Sequence, residues 1–95
     1  MSVDPPALYR DLVIANKRGL HARAAAHFVQ CVERFDATVT VSKEQVSVDG
    51  TSIMGLMMLA AMPGSVIRVT AEGRQAEAVL TALVALVESR FGEGE

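Results

Sequence analysis

The sequence predicts an α+β domain of element order βαββαβα, with helices covering one face of a sheet and water wetting the other. Three observations carry this expectation. Short segments alternate apolar and polar residues, as in 37–43, where Ala37, Val39 and Val41 share one face and Thr38, Thr40 and Ser42 the other. Other segments space their apolar residues at helical intervals, as Ala25, Phe28, Val29 and Val32 do. Turn chemistry at Asp49-Gly50 and Pro63-Gly64 punctuates the chain between them.

Taken in order, residues 1–7 read as a flexible N-terminal arm, because Pro5-Pro6 cannot join a sheet ladder. Residues 8–91 form the single domain. A strand over 8–15 points Leu12 and Ile14 inward and Arg10 outward. The basic loop Asn16-Lys17-Arg18-Gly19 leads into a first helix over 22–34. Strands 37–43 and 46–48, joined by Glu44-Gln45, make a hairpin. Thr51-Ser52 precedes a short helix, and either hydroxyl suits its N-cap. In that helix Ile53, Leu56 and Ala60 are expected to face the core, with Met58 as filler and Met54 and Met57 left for partner contact. A fourth strand spans 66–71. A closing helix over 74–91 buries Ala76, Val79, Leu80, Leu83, Leu86 and Val87, and 92–95 form a frayed tail. The same order fits a ferredoxin-like βαββαβ arrangement, so the pattern alone leaves two topologies open.

Composition removes several function classes. Ninety-five residues, half of them apolar, make one domain with a modest core and no run long enough to span a bilayer. The N-terminus lacks the basic start and apolar stretch of a secretion signal, so a cytoplasmic location is expected, without membrane insertion. The single Cys31 excludes an internal disulfide and leaves too few thiols for a zinc cluster. A net charge of −2, the absence of Trp and few aromatics argue against nucleic acid as a partner. No metal or organic cofactor is implied, and a monomer is expected.

Chemistry concentrates at Gly19-Leu20-His21-Ala22-Arg23-Ala24-Ala25-Ala26. The alanine run favours helix, and Gly19 supplies the turn before it. His21 then lies at or beside the N-cap, where backbone N–H groups, those of Ala22 and Arg23 among them, lack intrahelical partners. These donors and the positive end of the helix dipole make an anion-binding cup around the imidazole. Arg23 brings a planar fork suited to phosphate. A histidine in such a cup points to a nucleophile that carries a phosphoryl group; the plainer reading is an exposed histidine ahead of a helix. His27 falls six residues later, off the face of His21, and Cys31 reads as a packed thiol, so neither is assigned a role.

The His21 segment also resembles the active-site segment of the HPr family, the histidine-containing phosphocarriers of the bacterial phosphoenolpyruvate-dependent phosphotransferase system. A second block, Ser52-Ile53-Met54-Gly55-Leu56-Met57-Met58-Leu59, resembles that family's regulatory-serine segment at the expected distance downstream. The resemblance implies an open-faced β-sandwich, with a four-stranded antiparallel sheet under three helices on one face. It implies that phospho-enzyme I donates a phosphoryl group to Nδ1 of His21, which passes it to EIIA-type proteins of sugar transport. Arg23 and the amides of Ala22 and Arg23 would steady the phosphate. Ser52 would be the target of an HPr kinase/phosphorylase, and Lys17, Arg18, Ile53, Met54 and Met57 would contact partners. Such a protein is a carrier, not an independent enzyme. Within the family a nitrogen-branch regulatory phosphocarrier is the alternative; outside it, a ferredoxin-like binding module. Three positions depart from the family pattern. Ala24 stands where proline is usual, which bears on the start of the helix, and Gln30 and Glu33 occupy positions where docking lysines are common.

Overall fold

The computed structural model describes residues 7–93. Strand β1 (Leu8–Val13) leads to helix α1 (Ala22–Glu33), then to the hairpin strands β2 (Thr38–Lys43) and β3 (Val46–Asp49). Helix α2 (Ile53–Met58), strand β4 (Val66–Glu72) and helix α3 (Ala76–Glu88) follow, and a single 3-10 turn at Arg90–Gly92 closes the chain. The strands form one sheet in the order β1-β4-β2-β3, every pair antiparallel. A ferredoxin-like sheet is also antiparallel throughout but sets β1 beside β3, whereas here β4 lies between β1 and β2 and β3 is at the edge, so that alternative is excluded and the open-faced sandwich stands.

Period-2 alternation on the strands builds the core. Leu12 pairs with Ile67, and Val41 sits between Val69 and Val48, so one face is continuously apolar. Phe28 and Val32 of α1, Leu56 of α2, and Val79, Leu80 and Leu83 of α3 are buried in the same cluster. Solvent wets the opposite face. There Arg68 lies over the Tyr9 ring, 4.2 Å from its centroid, and donates from Nε and Nη2 to the Asp11 carboxylate at 2.8 and 3.0 Å. Those hydrogen bonds hold the Asp11 carboxyl below the usual carboxylate range.

Several sequence expectations are corrected here. Arg10 is exposed, but it shares the helix-side face with its partner Val69; it escapes burial because β1 is an edge strand. The closing helix stops at Glu88 instead of continuing to 91, and Leu86 is only half-buried. Leu83, Val87 and Phe91 continue an apolar stripe, so periodicity alone could not reveal that Phe91 reaches the core through a left-handed turn. Around α2, Ile53 and Ala60 are exposed, Met58 is 77% exposed, and Leu59 and Ala61 are buried instead. The helix has only six residues, and the left-handed Ala60 (φ 52°) breaks the helical count just beyond it. Apart from the exposed Ala7, the N-terminal arm lies outside the described residues, as do Gly94 and Glu95 of the tail.

Candidate functional site

His21 is delivered by a loop with little freedom. Ile14 closes one end through its N–H to Ser65 O (2.9 Å) and its carbonyl to Gly64 N–H (2.8 Å). Gly19, at φ +65°, turns the chain and donates its N–H to Asn16 O at 3.2 Å. A Cβ at Gly19 would overlap the Ala61 carbonyl oxygen, which accepts the Leu20 N–H at 2.9 Å. Leu20 is itself buried, so the residue before His21 is clamped to the segment after α2.

The backbone then enters α1 with His21 as N-cap, in extended geometry (φ −74°, ψ 177°). The first intrahelical bond runs from Ala25 N–H to His21 O at 2.9 Å. The N–H groups of Ala22, Arg23 and Ala24 precede that bond and meet no acceptor among the described residues. No acidic residue occupies the first turn itself. Arg23, Lys17 and Arg18 are all exposed, and none makes an ion pair among the described residues.

The imidazole has a partner that sequence reasoning missed. Nε2 of His21 lies 2.9 Å from Glu93 Oε1, with the two side chains only 15% and 10% exposed. Asn16, fully buried, donates Nδ2 to the same Glu93 oxygen at 3.0 Å and to Gly19 O at 2.8 Å. Nδ1 of His21 has no hydrogen-bond partner among the described residues. The expected frayed tail is therefore corrected at Glu93, which packs against the histidine; burial of Phe91 draws it there. No sequence signal marked the pairing, because 72 residues separate its members.

Ser52 is the N-cap of α2, its Oγ accepting Gly55 N–H at 2.9 Å. Thr51, the other candidate, instead donates its N–H and hydroxyl to Asp49 Oδ1 at 2.7 and 2.6 Å. The hydroxyl bond, with the backbone bond behind it, holds the Asp49 carboxyl below the usual carboxylate range. Ile53, Met54, Met57 and Met58 are all exposed, and Met62, just beyond, is 54% exposed, extending the apolar surface past the expected residues. Leu20 N–H to Ala61 O ties this region to the His21 loop.

His27 is exposed and Cys31 buried, both lining a cleft of about 580 Å³ between α1 and α3 that does not include His21. Among the described residues no group of three or more His, Cys, Asp or Glu is placed to hold a metal ion. Nor is any helix among them long and apolar enough to cross a membrane.

Comparison with known proteins agrees with this geometry. The family model described as "PTS HPr component phosphorylation site" matches residues 8–89. The chain is 50% identical over 91 residues to the phosphocarrier protein HPr of Pseudomonas aeruginosa, covering 95% of this chain and 99% of that protein. It is 38% identical over 86 residues to the phosphocarrier protein NPr of Shewanella violacea, covering 90% and 94%. The crystal structure of HPr-C-His from Thermoanaerobacter tengcongensis superposes with a TM-score of 0.86 at 44% identity, covering 90% of this chain and 97% of that one. A full-length match in sequence, joined to the same fold, establishes that this chain belongs to the HPr family of phosphocarrier proteins of the phosphotransferase system.

Proposed function

We propose that His21 is the phosphoryl acceptor of this carrier and that Nδ1 is the atom phosphorylated. The observation that supports this most directly is the pairing of the ring: Nε2 is engaged by Glu93, while Nδ1 has no hydrogen-bond partner among the described residues. In an in-line transfer the Nδ1 lone pair forms the new N–P bond as the donor's bond to phosphorus breaks. The His21 side chain belongs to the N-cap, beside the amides of Ala22, Arg23 and Ala24 that have no acceptor among the described residues. A phosphoryl group on the ring brings oxygens to the same helix end, where the amides of Ala22 and Arg23 would steady their charge. Arg23, exposed in the first turn, is free to swing over that charge.

The donor in this reading is phospho-enzyme I and the acceptors are EIIA-type proteins, with the protein acting as a monomeric cytoplasmic carrier, not as an independent catalyst. Ile53, Met54 and Met57, joined by Met58, offer an exposed, adaptable apolar surface for such successive partners, and Lys17 and Arg18 its basic border. Ser52 is the proposed target of an HPr kinase/phosphorylase. A phosphate there would sit at a helix start without unfolding it, and would set a dianion beside the apolar surface. The Ser52 block favours this role over the nitrogen branch. The test is incubation with enzyme I, magnesium and phosphoenolpyruvate, read by intact mass and acid lability. One acid-labile phosphate, absent in His21→Ala, is expected; labelling that persists in that variant would refute the assignment.

A further inference from the structure

After α3 the backbone passes through three consecutive left-handed residues, Arg90 (φ 58°), Phe91 (φ 56°) and Gly92 (φ 74°). Residues with a Cβ avoid this region, so two in succession require compensation from their surroundings. It comes from burial of Phe91, 3% exposed, and from two turn bonds, Gly92 N–H to Ser89 O and Glu93 N–H to Arg90 O, each 3.0 Å. The product of this turn is a carboxylate beside His21. Oε1 of Glu93 faces two groups at once: Asn16 Nδ2 at 3.0 Å and His21 Nε2 at 2.9 Å. Asn16 cannot adapt, since its buried amide also donates to Gly19 O. A carboxylate oxygen only accepts, so its partner Nε2 must carry the ring proton.

We propose that Glu93, oriented by Asn16, is a positioning residue that holds the His21 ring in its Nε2–H form and compensates the charge that phosphoryl transfer places on it. This rests on the phosphocarrier reading above. When the Nδ1 lone pair forms the N–P bond, the donor's bond to phosphorus breaks and its electron pair leaves with the departing nitrogen. The proton on Nε2 stays, so the ring becomes positive. That charge arises at the helix end whose dipole disfavours it, and the carboxylate 2.9 Å away offsets the penalty. In the reverse sense the N–P electron pair returns to Nδ1 and the ring leaves as neutral imidazole, and the contact keeps the Nε2 proton in place so that no imidazolate has to depart. Among the described residues none of the exposed cations of the loop and first turn, Lys17, Arg18 and Arg23, forms an ion pair with Glu93. Glu93 therefore supplies the compensating charge on that side of the ring.

The experiment uses the full chain as wild type, Glu93→Gln and Glu93→Ala, with two readouts. Ring nitrogen chemical shifts, taken on the neutral-ring side of the titration that the same spectra record, report the tautomer without any phosphate. Phosphorylation by phosphoramidate, a small P–N donor, reports the reactivity of His21 without partner docking. Wild type is expected to show the Nε2–H tautomer. Glu93→Gln, whose amide oxygen still accepts, should keep the tautomer but slow labelling by about tenfold, the difference between a charge-assisted and a neutral hydrogen bond. Glu93→Ala should lose both the tautomer preference and more of the rate. Wild-type ring shifts and rate in Glu93→Ala would overturn the proposal, as would an Nδ1–H ring in the wild type. A wild type that takes no phosphate at His21 from either phosphoramidate or enzyme I would overturn the carrier reading, and this one with it.

Discussion

Replacing Gly19 by alanine tests whether the His21 loop is clamped as the geometry requires. Gly19 holds φ +65°, which costs a residue with a Cβ roughly 1–2 kcal/mol. The added methyl would also overlap the Ala61 carbonyl oxygen, the acceptor for Leu20 N–H. Relieving that overlap breaks a buried hydrogen bond and leaves its groups unpaired, at about 1–3 kcal/mol. Against these, alanine restricts the unfolded chain and returns about 0.4–1 kcal/mol. The net loss is roughly 3 kcal/mol, which at about 4–8 °C per kcal/mol for a domain of this size lowers Tm by roughly 12–24 °C. Gly64→Ala is the control. It too has a left-handed φ (+91°), but a Cβ there meets open space, so only about 1 kcal/mol should be lost. Thermal melts followed by far-UV circular dichroism measure both. If Gly19→Ala melts no lower than Gly64→Ala, the contact with Ala61 does not restrain the loop, and the account of how His21 is held is wrong.

Three further outcomes are expected. Phe91→Ala should lower the urea-derived stability by about 3–5 kcal/mol, the range for a buried phenylalanine, and should release Glu93 from the His21 ring; a loss near zero would show that the left-handed turn stands without its anchor. Ser52→Ala removes the cap on Gly55 N–H and should cost about 1 kcal/mol, whereas Ser52→Asp should melt close to the wild type; equal melts for Ser52→Ala and wild type would contradict the cap. The depressed Asp49 carboxyl contributes stability at neutral pH that is lost as the pH falls through its folded value, below the usual carboxylate range. Thr51→Val removes the hydroxyl bond but keeps the backbone one, so the Asp49 midpoint should move part of the way up in a carbon-NMR titration; an unmoved midpoint would assign the shift elsewhere.

Local chemistry made much of this protein legible. The alternation at Val39 and Val41, the stripe from Ala25 to Val32 and the turn at Asp49-Gly50 each act within a few residues, where side-chain period and backbone preference suffice. His21 at a helix start was legible for the same reason, since capping is a property of a few consecutive residues. Harder to see were choices among locally equal options. Thr51 and Ser52 are equivalent as caps by composition; only the Asp49 carboxylate, which engages Thr51, separates them. Leu83, Val87 and Phe91 satisfy one helical stripe whether or not the helix continues, and burial of Phe91 was compatible with stopping it. Met58 and Leu59 are both apolar, and only the short helix and the left-handed Ala60 turn one out and the other in.

The sequence by itself determined the elements, their order, the apolar face of the sheet and the histidine at the mouth of α1, because each rests on interactions between near neighbours. Tertiary structure alone decided that the strands pair as β1-β4-β2-β3, that Ala61 clamps the His21 loop and that Glu93 meets the ring. Those are contacts between residues distant in the chain. They exist because burial of the shared core, with Leu20 and Phe91 among its members, brings to one place backbone and side chains that no local pattern connects.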